Sequence, residues 1–347
     1  MLAFKYISFH YLKYFIVILT ALVLFLVGFD YMGNAEELSE SANILLIYLV
    51  YKVFFAIDTL LPLALVFAMI TTKILLIRSN ALVSFYSLGY SRVDVLKPFV
   101  VVSSLIIMLF ISFHSVPSFS RAQEFAYNIR KNATYLNPSK DLFFTHKDKF
   151  IYFSSLHPLK NQAFDIRVFT MKDKVLKQVL LAHKASYIDD SWYIDKADII
   201  IKPDDMGFDS TGIRVHEEED LEILHGFRPK VLDQIYEGKV NFTIGDAIDA
   251  FILLHNQNVD TSTIRGALYK IFFYPFFVPC IVVIIFFFVP MSARFVNVSL
   301  FSFGAILSTL MIWGILFILI ELSNNKTIPS EIGIIIPIGI LLSIALK

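Results

Sequence analysis

Two ionisable residues, Lys52 and Asp58, stand inside an otherwise apolar stretch of this sequence. A charged side chain in a lipid-embedded helix is costly, and such residues usually face a bundle interior or a polar cavity. Both are therefore candidates for an intramembrane path, together with Asp30 after the first apolar stretch and Pro62 one turn beyond Asp58. Lys52 has a second reading, in which its long stem snorkels the ammonium out to the interface. Asp58 is the deeper of the two and the more suggestive. Elsewhere the residues that could do chemistry are scattered. His216 and His225 bracket the acidic run Glu217-Glu218-Glu219-Asp220, where a metal site is conceivable but a solvated strand edge fits the pattern better. There is no Gly-rich phosphate loop, no His-Glu-x-x-His pair, no paired-Cys spacing and no Gly-x-Ser-x-Gly elbow. The one cysteine, Cys280, lies in an apolar run and cannot form an intrachain disulfide. No catalytic residue, metal site or bound cofactor is expected of this chain.

The elements that hold these residues follow from composition. Of 347 residues, 56% are hydrophobic and 17% charged, with 35 Phe and a mean hydropathy of +0.66. A soluble domain carries about 25% charged residues, so a chain this apolar reads as an integral membrane protein. The formal charge is zero, with 30 basic and 30 acidic residues, which removes any global argument for nucleic-acid binding. That neutrality is an average. Residues 118–270 hold 20 Lys/Arg and 22 Asp/Glu, so two sparsely charged blocks flank one water-compatible domain.

A bilayer core about 30 Å thick needs about 20 apolar residues per helix. Six spans meet that measure, three on each side of the middle domain: Tyr14 to Gly28, Ile44 to Thr72, Phe99 to Val116, Leu268 to Val289, Val298 to Ile320 and Ser330 to Leu346. The first is expected to stay as a helix rather than be cleaved as a signal peptide, since no small-x-small site follows it. With both termini cytoplasmic, the inner segments hold Lys5, Lys13, Lys73, Arg78, Arg92, Lys97, Arg294 and Lys347, while the first outer loop holds Asp30, Glu36, Glu37 and Glu40. The positive-inside rule then puts the middle domain outside the cytoplasm.

Within residues 141–226, short β-branched and aromatic runs alternate with polar residues and end at turn signals. Nine short strands are expected: 141–146, 149–153, 164–170, 175–182, 186–188, 192–194, 199–201, 212–216 and 221–224. Many short strands without long intervening helices predict an all-β sandwich or jelly-roll-like domain. Helices are expected over 118–130 and 244–255, the latter capped by Thr243. The domain boundaries expected are 1–117, 118–265 and 266–347.

The cytoplasmic loop between the second and third spans runs from Arg78 to Pro98. Leu82, Phe85 and Leu88 have helical spacing, and Gly89 is placed to end the helix. A short amphipathic helix here can dock a soluble partner or lie on the lipid surface, and the loop alone favours the lipid surface. This loop resembles that of the lipopolysaccharide export permease family, the LptF/LptG type, which reads roughly Glu-Leu-x-Ala-x-x-x-x-Gly-aromatic-Ser/Thr, then a basic residue and a proline. Leu82, Val83, Gly89, Tyr90, Ser91, Arg92 and Pro98 fit that pattern, and Ala81 stands where the family has its acidic residue. Further matches follow in order: Asp30, Asp58-x-x-x-Pro62, Val116-Pro117, Lys149-Phe150-Ile151-Tyr152, the stretch Ala182 to Trp192, then Lys270, Pro275, Pro290 and Arg294.

The resemblance implies an inner-membrane permease subunit of an ABC transporter. It would pair with a sister permease and two copies of a cytoplasmic ATP-binding subunit that hydrolyses the ATP. It would extract lipopolysaccharide and pass it to a periplasmic bridge protein with a related jelly roll. The coupling segment would then be Ala81, Leu82, Val83, Phe85, Leu88, Gly89, Tyr90, Ser91 and Arg92. Competing readings are a lipoprotein-release or mechanotransmitting permease, a membrane-anchored periplasmic scaffold, and, least favoured, a membrane enzyme.

Overall fold

The computed structural model describes residues 2–36, 42–130, 139–146, 149–157, 161–172, 175–188, 191–203, 212–224, 242–255, 261–288 and 297–347. The chain forms two compact units, one made of residues 1–131, 243–247 and 262–347, the other of residues 132–242 and 248–261.

The first unit is helical. It contains α1 (Leu2–Asn34), α2 (Ala42–Arg78), α3 (Ala81–Ser87), α4 (Arg92–Phe113), α5 (Pro117–Ser120) and α6 (Ala122–Arg130). After the other unit come α7 (Ile244–His255), which begins here, then α8 (Ser262–Phe272), α9 (Phe277–Phe288), α10 (Val298–Asn324) and α11 (Ile336–Ala345). Among the described residues five helical stretches are long and apolar enough to cross a membrane: α1, α2, α4, α8 joined to α9, and α10. The last apolar helix, Glu331–Ala345, is shorter and opens with a π turn over Glu331–Ile335.

The burial patterns separate peripheral from central helices. In α1 the buried residues Ala3, Ile7, Tyr11 and Phe15 recur every fourth position, one narrow stripe on a helix that is apolar all round. Leu24, Phe25 and Phe29 on its other faces are exposed. By contrast α2 is buried almost continuously from Leu61 to Ile70, so it is the central helix. Leu65 and Met69 pack there with Phe99, Ile107, Phe277 and Ile281. Hydrocarbon solvates Leu as well as a neighbouring helix does, so such a bundle relies on close packing and polar contacts. Two glycines allow the closest approaches. A Cβ on Gly266 would lie 2.9 Å from Ser330 Oγ, and one on Gly333 would lie 2.9 Å from the Leu319 carbonyl oxygen.

The fourth expected span differs from its single-helix expectation. It breaks at Phe273, passes through a 3-10 turn at Tyr274–Phe276 and resumes as α9, because Pro275 cannot donate to the helical ladder. Pro62, which carries the same defect, leaves α2 unbroken. The helix expected over 118–130 is likewise two pieces, α5 and α6, separated at Arg121.

Among the described residues the second unit is an antiparallel sheet of six strands paired in chain order: β1 (Ser139–His146), β2 (Lys149–His157), β3 (Gln162–Lys172), β4 (Val175–Ile188), β5 (Ser191–Ile201) and β6 (Arg214–Ile223). Three pairs of expected short strands are in fact single long ones, β4, β5 and β6. Polar residues at their middles, such as Lys184, Lys196 and Glu219, sit on the solvent side and stay paired in β3–β4 and β5–β6, while β4–β5 pairing pauses between Leu181–Asp198 and Ser186–Tyr193. The two faces differ sharply. Ile151, Val168, Leu180 and Ile199 form one buried cross-strand row. The adjacent register places Tyr152, Arg167, Leu181, Asp198 and Glu217 in a row on the opposite face. A sheet with one apolar and one solvated face is the usual antiparallel solution. Trp192, fully buried, anchors the apolar side against Phe153 and Tyr187.

Candidate functional site

The loop between α2 and α4 is built by local chemistry. Asn80 takes a left-handed conformation, φ 56°, which turns the chain out of α2 and straight into α3. At the other end Gly89 has φ 85°, a value that favours glycine. Its N–H donates to the Tyr86 carbonyl, and the Tyr90 N–H donates to that of Phe85. These two bonds make a Schellman ending, and the Phe85 and Tyr90 rings supply its hydrophobic contact at 6.0 Å. Ser91 then caps α4. Its hydroxyl accepts from the Asp94 N–H at 3.1 Å, while the Asp94 carboxylate accepts from the Ser91 N–H at 3.1 Å.

This scaffold divides the nine coupling candidates. Leu82 is fully buried against the helical core, and Ala81, Phe85 and Tyr90 are partly buried beside it. Tyr6, near the start of α1, places its ring 6.1 Å from that of Phe85. Val83, Leu88, Gly89, Ser91 and Arg92 are exposed, with Leu88 at 73%. So α3 has one anchored face and one outward apolar face. Leu82 and Phe85 hold α3 in place, and Val83 and Leu88 are the residues offered outward.

The intramembrane candidates form two polar contacts along α2. Lys52 Nζ donates to Asp30 Oδ1 at 2.8 Å, and the buried Tyr48 hydroxyl donates to Asp30 Oδ2. Asn34 donates to the Asp30 carbonyl and accepts from Arg130 on α6, at 2.7 and 2.8 Å. This cluster staples the end of α1, the early turns of α2 and the end of α6, and Lys52 has a carboxylate partner rather than an open charge. Further along, Asp58 Oδ1 lies 3.0 Å from Nε2 of His114, a buried residue that follows α4.

Helical rise gives the spacing of these groups along α2. At 1.5 Å per residue, Asp58 is about 30 Å from Arg78, the thickness of the hydrocarbon core, and Lys52 is about 9 Å beyond it. Pro62 is buried one turn below Asp58.

Two participants carried no local sequence signal as site residues. His114 was one of eight scattered histidines. Lys73 reads as an inner-loop charge, yet it is buried in α2, donates to the Phe286 carbonyl at the end of α9 and sits 3.8 Å over the Phe286 ring. His216 lies 3.2 Å from Glu218, while His225 falls outside the described residues, as do Asp189, Asp190, Pro290 and Arg294. Among the described residues no three His, Cys, Asp or Glu gather as metal ligands.

Comparison with curated proteins returns no match. Comparison with protein families aligns residues 5–346, nearly the whole chain, with the lipopolysaccharide export system permease LptF/LptG. Its apolar helices, its separate antiparallel sheet unit and that alignment agree, and the chain belongs to the LptF/LptG family of lipopolysaccharide export permeases.

Proposed function

We propose that this chain is one permease subunit of an ABC-type exporter that takes lipopolysaccharide from the inner membrane and hands it to a periplasmic bridge. The observation that carries the reading is the family alignment over residues 5–346. In this reading the chain has both termini in the cytoplasm, six membrane crossings and a periplasmic jelly-roll-like domain spanning about 118–265. A sister permease completes the transmembrane core, and two copies of a cytoplasmic ATP-binding subunit supply the hydrolysis. The chain itself binds no nucleotide or metal.

The geometry supports each step of that task. The exposed Val83 and Leu88 on an anchored α3 give an ATP-binding subunit a surface on which a push moves α2 and α4 together. Apolar faces on α1 and α10 can wall a path for acyl chains. The apolar side of the sheet can shield those chains from water. The Asp30–Lys52–Tyr48 cluster and Asp58 lie at the level where a lipid headgroup would pass.

The test is affinity purification of the chain in detergent from its native membrane, followed by identification of bound proteins and lipid. Recovery of an ATP-binding subunit, a second permease and a lipid A species is the expected result. Recovery of the chain with neither a nucleotide-binding subunit nor lipid A would leave the scaffold reading in its place.

A further inference from the structure

We infer that Asp58 and His114 form a proton-holding joint that positions α2 against the end of α4 through the transport cycle; this rests on the exporter reading above. The starting point is hydrogen-bond bookkeeping on one imidazole. His114 Nδ1 lies 3.1 Å from the Phe110 carbonyl oxygen, and a carbonyl only accepts, so Nδ1 carries its hydrogen. In a neutral ring the other nitrogen, Nε2, would then be a bare acceptor. Yet Nε2 lies 3.0 Å from Asp58 Oδ1, also an acceptor when ionised. Two lone pairs do not hold each other at that distance. The contact requires a second proton, shared between imidazole and carboxylate.

The surroundings fix this arrangement. The Phe110 and Phe119 rings stand edge-on to the imidazole at 4.9 and 5.3 Å, which blocks its rotation. The His114 carbonyl accepts from Ser120 Oγ at 3.1 Å and from the Ile244 N–H at 3.2 Å. One residue thus joins α2, the end of α4, α5 and the first residue of α7. The ionisable groups on neighbouring elements are Tyr274 of the 3-10 turn, the Arg121–Glu124 pair between α5 and α6, and Asp246 on α7. Lys52, on α2 itself, is engaged by Asp30.

The joint matters because of where α2 and α4 lead. Both leave α3, one on each side, so they are the two arms through which a push on α3 travels. Along their length α2 packs mainly on α1 and α6, and α4 on α1 and α9, rather than on each other. Asp58–His114 ties the middle of α2 to the end of α4. A protonated joint makes the arms move as one, and a deprotonated joint lets them part without transmitting the stroke.

The experiment uses the whole complex, with sister permease and ATP-binding subunit, in vesicles loaded with lipopolysaccharide. Lipid released per ATP hydrolysed is measured across a pH series. In wild type this ratio falls as pH rises and the shared proton leaves. In Asp58→Asn the amide donates to the neutral Nε2 lone pair, so the contact survives without the second proton and the ratio becomes flat with pH. Asp58→Leu lacks the contact at every pH, and its ratio lies about fivefold or more below the wild-type value at low pH, the lower edge of ordinary coupling energies. Identical pH profiles for wild type and Asp58→Asn, or a full ratio in Asp58→Leu, would overturn the joint. Should Asp58→Leu fail to fold, the Asp58→Asn profile decides alone. A wild-type complex that hydrolyses ATP but releases no lipid at any pH overturns the exporter reading itself, and the joint with it.

Discussion

Lys52 on α2 donates to Asp30 on α1 at 2.8 Å, and Tyr48, one turn before Lys52, holds the other carboxylate oxygen. The side chains are 14% and 21% exposed, so the pair is neither dry nor fully screened. Removing one member of a fully buried pair costs about 3–5 kcal/mol, and exposed pairs contribute about 0–1 kcal/mol. Lys52→Met or Asp30→Asn should each cost about 2 kcal/mol, between those limits. The double substitution should cost clearly less than the sum, because neither orphaned charge remains. Thermal unfolding in detergent of all four proteins closes the cycle, and strictly additive losses would mean the two residues do not act as a pair.

That pair also shows how far sequence reading reaches. Lys52 and Asp58 are visible as ionisable residues in an apolar run, and Asp30 as a charge after a span. Their partners are not visible, because helix-to-helix contacts depend on packing angles that no local pattern encodes. His114 has no neighbours in sequence that hint at Asp58. The Schellman ending of α3, by contrast, is written locally in Gly89 and the apolar pair Phe85 and Tyr90. Strand boundaries in β4, β5 and β6 depart from the sequence pattern for a related reason. A charged residue in mid-strand looks like an interruption until the solvent face of the sheet is known. Proline shows both outcomes: Pro275 breaks its helix, while Pro62 is absorbed in the tightly packed centre of α2.

The coupling surface should separate cleanly from its mount. Val83→Asp and Leu88→Asp place charge on exposed positions, so the fold should be unaffected, within about 0.5 kcal/mol. Co-purification of the ATP-binding subunit should nevertheless be lost, since a buried unpaired charge at an interface is heavily penalised. Leu82→Asp should fail differently, by destabilising the chain, because Leu82 is fully buried. Retention of the ATP-binding subunit by the Val83 and Leu88 double variant would exclude this face as the docking surface.

Gly333 sets the approach of the last apolar helix to α10. Its added Cβ would meet a backbone carbonyl, that of Leu319, and the Ser323 Cβ, each at 2.9 Å. Backbone cannot step aside as a flexible side chain can. Gly333→Ala should therefore cost about 1–3 kcal/mol, the usual range for overpacking. Gly304→Ala is the control, since nothing lies within 4 Å of a Cβ there. It should be neutral or slightly stabilising, as alanine is the better helix former. Equal melting temperatures for the two variants would refute the close packing at Gly333.

Lys73 poses a question of sign. It is buried in α2, bonded to the Phe286 carbonyl and stacked on the Phe286 ring, so it caps the C-terminus of α9 with a cation. A cation at a helix C-terminus contributes up to about 2 kcal/mol in partly buried geometry, and a desolvated cation–π contact about 2 kcal/mol more. Against that stands the cost of taking an ammonium out of water, several kcal/mol after relaxation. The terms nearly cancel. Lys73→Met keeps the length and apolar stem while losing both the charge and its desolvation, so stability should change by no more than about 1 kcal/mol. Lys73→Ala leaves a cavity as well and should cost about 2–4 kcal/mol. Melting curves of the two variants decide the matter. A loss above about 3 kcal/mol in Lys73→Met would mean that the cap outweighs desolvation and is itself a main fastening between α2 and α9.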